Sequence, residues 1–118
     1  MPDNSPEPAD VYGVHPDVLL SGDAHADKLR RIVAVEKVRD LPAWIVLGRT
    51  TSDARPGDLH SPEEDGCKLD KVGWWSVRFK HTVETRRFGN PVYCPFFGML
   101  SEPGRTDVLN YWEKVKWR

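Results

Sequence analysis

Several things are scarce or missing in this 118-residue chain. No apolar run approaches the roughly 18 residues that a membrane-spanning helix needs. The opening MPDNSPEPADVY has no basic stretch followed by a greasy one, the pattern of a secretory signal. These absences predict a soluble, cytoplasmic protein with no membrane partner. Only two cysteines occur, Cys67 and Cys94, too few for a disulfide framework. Each stands alone, which argues against a thiolate zinc site and leaves one disulfide as the open alternative. The four histidines, His15, His25, His60 and His81, form no i, i+4 pair, so no metal and no other cofactor is expected. There is no glycine-rich phosphate loop, nucleophile elbow or Cys-His-Asn pattern, and a cofactor-using metabolic enzyme has no support.

What the chain does have is unevenly placed charge. The net charge is −1. Residues 1–27 hold six acids (Asp3, Glu7, Asp10, Asp17, Asp23 and Asp27) and no Lys or Arg. The remainder carries a surplus of five positive charges, all of it within residues 71–118. A basic body behind an acidic lead-in suits an anionic partner such as RNA, although a solvated surface explains such charges equally well.

A length of 118 residues fits one domain. Residues 1–9 are proline-rich and polar, and predict a disordered acidic segment ahead of a single β-barrel-like domain over 10–118. DVYGVH is a short strand that His15-Pro16 should end. PDVLLSGDAHADK reads as a loop with one helical turn near Val18–Leu20. RRIVAVEKV and AWIVLG are apolar on both faces and joined by a four-residue turn, which predicts a central antiparallel hairpin. Residues 53–72, rich in acids, prolines and glycines, predict a long loop.

GWWSVRFKHTVE alternates cleanly. Its pattern predicts a half-buried strand with Trp75, Val77, Phe79, His81 and Val83 inward, and with Trp74, Arg78 and Lys80 on a basic outer face. VYCPFFGML predicts another strand, placed at an edge or bulged by Pro95. TDVLNYWEKVKW predicts a closing helix with Thr106 as N-cap, docked through Val108, Leu109, Trp112 and Val115. The fold class is therefore mainly β (α+β): a small antiparallel SH3-like barrel or curled sheet with one C-terminal helix.

Two groups of residues carry potential chemistry. The second strand of the hairpin ends in Arg49, Thr50, Thr51 and Ser52, whose hydroxyls could meet a phosphate oxygen or a ribose. The plainer alternative is that they close the strand and cap the turn at Asp53. Arg30 and Arg31 enter the first strand at the end where the second leaves. Guanidinium groups bind phosphate bidentately and stabilise a developing phosphorane, so hairpin pairing would bring arginine and hydroxyl together.

This combination resembles the PemK/MazF-like toxin family. Asp10-Val11-Tyr12, the arginine pair entering LRRIVAVEKV, the Thr-Thr-Ser that ends AWIVLGRTTSD, and a C-terminal helix match its pattern over about residues 10–53. The resemblance implies an SH3-like barrel and a metal-independent endoribonuclease that cleaves single-stranded RNA by attack of a ribose 2′-hydroxyl on the adjacent phosphate. It also implies an antitoxin partner. Carried over, it makes Arg30 or Arg31 the phosphate-stabilising arginine and Thr51 or Ser52 the active hydroxyl. RNA would be guided by Arg49, Trp74, Arg78 and Lys80, with His60 able to assist. A homodimer is a further candidate assembly. Ile32 stands where the family tends to place proline, and the 53–72 loop is longer and more acidic than the pattern implies. The competing reading is a non-catalytic β-domain, of the kind a phage or mobile element encodes, that grips a host protein or nucleic acid. Five tryptophans in a chain this short favour it, because Trp and Arg make interface hot spots.

Overall fold

The structure is a computed structural model that describes residues 5–15 and 29–117. The loop and helical turn expected within 16–28 lie outside the described residues. Six strands form one antiparallel sheet: β1 Asp10–Val14, β2 Arg30–Lys37, β3 Ala43–Thr50, β4 Leu59–Ser61, β5 Gly73–Glu84 and β6 Phe96–Met99. One α-helix among the described residues, α1 Gly104–Val115, follows. The order across the sheet is β4-β5-β3-β2-β1-β6, with β2 and β3 central. The sheet curls into a half-barrel, as the alternating apolar pattern predicts.

Because β2 and β3 are apolar on both faces, each face of the sheet needs its own cover. On one face, Val33, Val35, Leu47 and Trp75 pack against Val108, Tyr111, Trp112 and Val115 of α1. On the far face, Tyr12, Ile32, Ala34, Val46 and Val83 pack with Phe88 and Cys94 from the connection after β5. A fully buried side chain such as Leu47 contributes about 2 kcal/mol. The two cysteines lie in different cores and both are free. Burial pushes each thiol up to about 12, so neither is a ready nucleophile.

The curl comes from a large bulge. Leu47 pairs with Lys80 while Gly48 pairs with Ser76, so Val77–Phe79 have no partners on β3. Such an insertion bends the strand and increases its twist. Two of its backbone donors go to side chains: the Val77 N–H donates to Tyr111 Oη of α1 at 3.1 Å and the Arg78 N–H to Ser76 Oγ at 3.1 Å. Gly48 makes the bend possible, since a Cβ there would sit 2.7 Å from Phe79 Cβ. The bulge also overturns the expected sidedness of β5. Trp75 enters the helix-side core but Val83 enters the far core. The odd-numbered residues therefore do not share one inward face.

Other parts of the chain add detail. Ahead of β1, Ala9 sits in a turn, fully buried, and its N–H donates to Ala34 O at 2.7 Å. The 53–72 segment is not plain loop. It contains β4, a 3-10 turn over Asp65–Cys67 and an isolated bridge between Glu64 and Leu69, and it packs against β6 across the open side of the half-barrel. The last strand is shorter than VYCPFFGML, beginning only after Pro95, but it lies at the sheet's edge as expected. Finally, the helix starts at Gly104 rather than with Thr106 as N-cap. The Glu102 carboxylate does the capping, accepting from the Thr106 N–H at 2.8 Å and Thr106 Oγ1 at 2.7 Å.

Candidate nucleic-acid interface

The β2–β3 pairing decides where the chemistry-bearing residues meet. Ile32 lies opposite Gly48, and the same register continued places Arg31 level with Arg49 and Arg30 level with Thr50. The arginine pair and the hydroxyl run therefore occupy the same, open end of the hairpin. Alternation then separates the two arginines. The Arg30 guanidinium lies 5.6 Å from the Phe79 ring centre on the far face. Arg31 lies 5.6 Å from the Phe97 ring, which packs against the helix-side core. Its Nε donates to Lys68 O at 3.2 Å, and Lys68 Nζ covers the same ring at 5.0 Å. Close packing at Gly13 holds Phe97 there, because a Cβ at Gly13 would meet Phe97 Cζ at 2.4 Å. One phosphate cannot receive both arginines.

The hydroxyls divide as well. Thr50 is buried, and its Oγ1 accepts from the N–H groups of Ser52 at 3.3 Å and Asp53 at 3.0 Å. That is the plain strand-closing cap. Thr51 and Ser52 follow it on the surface.

Arg49 is buried and held inside the protein. Nε donates to Ser61 Oγ at 3.0 Å, and Nη2 donates to the carbonyls of Ser61 at 2.9 Å and Lys71 at 2.6 Å. Its guanidinium stacks 5.7 Å from Trp75. Burial, then the nearby Arg31 charge, lowers its pKa. Arg49 is a clamp on the 61–71 segment rather than a surface contact for RNA. Arg78 is likewise engaged, donating to Asp58 Oδ2 at 2.8 Å and Asp53 O at 2.7 Å. Lys80 pairs with Leu47, a helix-side residue, whereas Trp74 pairs with Thr50. Trp74, Arg78 and Lys80 thus form no single stripe.

The strand pairing assembles a different row. His60 of β4 pairs with Trp74 of β5, and Trp74 pairs with Thr50 of β3. Arg30 of β2 is next, level with Thr50. These four come from four adjacent strands on the far face, spanning about 14 Å at ordinary strand spacing. The His60 and Trp74 rings meet edge to face with centres 6.0 Å apart. Phe79 lies beside the row, flanked by Arg30 and by Arg78 at 4.7 Å. The sequence hint was weak, because His60 lies in a stretch with no strand pattern of its own.

No family model, curated protein or solved structure matches this chain. Its likeness to the PemK/MazF-like pattern rests on the motifs alone. Among the described residues, no three His, Cys, Asp or Glu side chains come together as a metal-binding group. No helix among them is long and apolar enough to cross a membrane.

Proposed function

We propose that the protein is a toxin-like, metal-independent endoribonuclease that holds single-stranded RNA across the far face at the open end of the β2–β3 hairpin. The observation that carries this reading is the lateral row of His60, Trp74, Thr50 and Arg30. A flat indole offers a stacking surface to any base, worth about 1–3 kcal/mol per base. Arg30 offers a charge-assisted pair of donors to a phosphate. Thr51 and Ser52, exposed where β3 ends, would present hydroxyls to that phosphate.

In the reaction, the ribose 2′-oxygen attacks the adjacent phosphorus. The new O2′–P bond forms as the P–O5′ bond breaks, leaving a 2′,3′-cyclic phosphate and a 5′-hydroxyl. Solvent water takes the 2′-hydroxyl proton, with the Thr51 or Ser52 hydroxyl as relay, and water returns one proton to the departing O5′. Arg30 stabilises the negative charge on the phosphorane, while Thr51 or Ser52 orients the phosphate. His60, three strands from Arg30, contacts a neighbouring nucleotide rather than the same phosphate. Arg31, on the other face with Phe97 and Lys68, contributes positive potential that draws RNA in.

The test is incubation of the purified protein with a long single-stranded RNA in EDTA, with the ends mapped chemically. The expected result is cutting that leaves 2′,3′-cyclic phosphate and 5′-hydroxyl ends. Arg30→Ala should reduce the rate about 100-fold or more, in the range of losing one transition-state charge contact. Trp74→Ala should weaken binding about tenfold or more. Binding without cutting would replace the nuclease with a non-catalytic RNA-binding domain, a reading favoured by the divergence of Arg30 and Arg31. Neither binding nor cutting would overturn both.

A further inference from the structure

A second feature lies where the half-barrel fails to close. Strand β4 ends the sheet, paired with β5 alone, so its outer edge faces away from any strand. Against that edge is a cleft of about 380 Å³ between β4 and the segment that leads into α1, a volume in the range of ligand sites. Leu59, Trp75 and Leu100 give it an apolar floor. Its rim carries Glu63, Glu64, Glu102 and Asp107, and neither lysine nor arginine lines it. Two of these carboxylates have internal work. Glu64 accepts from Ser101 N–H and Oγ and from Cys67 Sγ, and Glu102 caps α1. Glu63 and Asp107 are exposed.

We infer that this cleft binds an extended, arginine- or lysine-bearing peptide segment of another protein, added as a strand on the edge of β4. The Ser61 carbonyl is taken by Arg49 and Pro62 has no N–H, so the edge groups left for the main-chain hydrogen bonds of strand addition are those of Leu59 and His60, and side-chain pockets supply selectivity. Alternate peptide residues would face the Leu59–Trp75–Leu100 floor. The basic ones would meet Glu63 and Asp107, and charge complementarity fixes the sign of the partner. The chain's own first 27 residues, with six acids and no Lys or Arg, have the wrong charge to fill it. Of the residues proposed to hold RNA, His60 also lines the cleft, while Arg30, Thr51, Ser52 and Trp74 do not, so the two sites meet at His60 and are otherwise distinct.

The test uses the full chain and fluorescein-labelled octapeptides in which valine alternates with arginine or with glutamate, read by fluorescence anisotropy. The arginine peptide should bind and the glutamate peptide should not. Glu63→Gln combined with Asp107→Asn should weaken binding about tenfold with an unchanged thermal transition and unchanged RNA cutting. An arginine peptide N-methylated at alternate amides should also lose about tenfold, because strand addition needs its donors. The inference falls if neither peptide binds, if both bind alike, or if the double variant binds normally. It also falls if spermidine displaces the peptide and the N-methylated version binds equally, which would make the cleft a site for free polyamines.

Discussion

The open end of the β2–β3 hairpin and the seam beside β4 are built alike and charged oppositely. Each sets charged side chains around aromatic rings: Arg30 and Arg31 beside Phe79 and Phe97 at one, Glu63 and Asp107 above Trp75 at the other. A net charge of −1 conceals both fields. The comparison teaches that bulk charge says little about partners, while the strand pairing, which decides which charges gather, says much. It also shows how the regions are joined. Arg49 leaves β3 at the open end and grips the carbonyls of Ser61 and Lys71, the two ends of the segment that borders the seam.

That clamp is the place to break the comparison most severely. Arg49→Met keeps much of the side-chain stem over Trp75 but strands Ser61 Oγ and two carbonyls without their donor. Buried acceptors left unsatisfied cost about 1–3 kcal/mol each before relaxation, so the expected loss is on the order of 3 kcal/mol or more. Urea denaturation measures it. RNA binding and peptide binding should fall together, since both sites depend on the clamped segment. A variant that loses only one of them would show that the two regions are independent.

A smaller effect is read by pH. The Asp58 side chain is nearly buried, and burial alone would raise its pKa. Hydrogen bonds from Arg78, Ser76 and the Arg55 N–H outweigh burial and hold it below the usual 3.8. A depressed carboxylate adds stability above its unfolded pKa and loses it as pH falls through the folded value. Asp58→Asn should therefore destabilise the protein by about 1–2 kcal/mol at pH 7. The gap from wild type should close below pH 3.8. A gap that persists in acid would mean that Asp58 acts through packing rather than charge.

Much of the scaffold was legible. The two-sided apolar runs of β2 and β3 required a central hairpin, and pairing alone put Arg30 and Thr50 at one end. What the alternating pattern of β5 could not reveal is the bulge at Val77–Phe79, because those residues continue the alternation. Its partner signal was Gly48, a glycine inside a strand whose missing side chain makes room for Phe79. Strand β4 is three residues long and pairs only with distant Trp75, Trp74 and Gly73, so no local pattern could announce it. The burial of Arg49 was equally hidden, since arginine is usually exposed and its acceptors are carbonyls supplied by tertiary folding. The cleft went unforeseen for the same reason: its walls lie about 40 residues apart in sequence.

The mildest perturbation asks how the seam is held. Glu64 laces it by accepting from both the Ser101 N–H and Ser101 Oγ at 3.0 Å, across the gap between the 61–71 segment and the lead into α1. Ser101→Ala removes the hydroxyl donor and leaves the backbone one. The site is exposed, so the remaining carboxylate oxygen can turn to water. The expected cost is therefore only about 0.5–1 kcal/mol in urea denaturation. Because the lacing fixes the width of the cleft, the arginine peptide should bind more weakly while RNA binding at the open end stays unchanged. A loss in RNA binding of similar size would mean that the seam and the hairpin end move as one body, and that their opposite charges belong to a single surface.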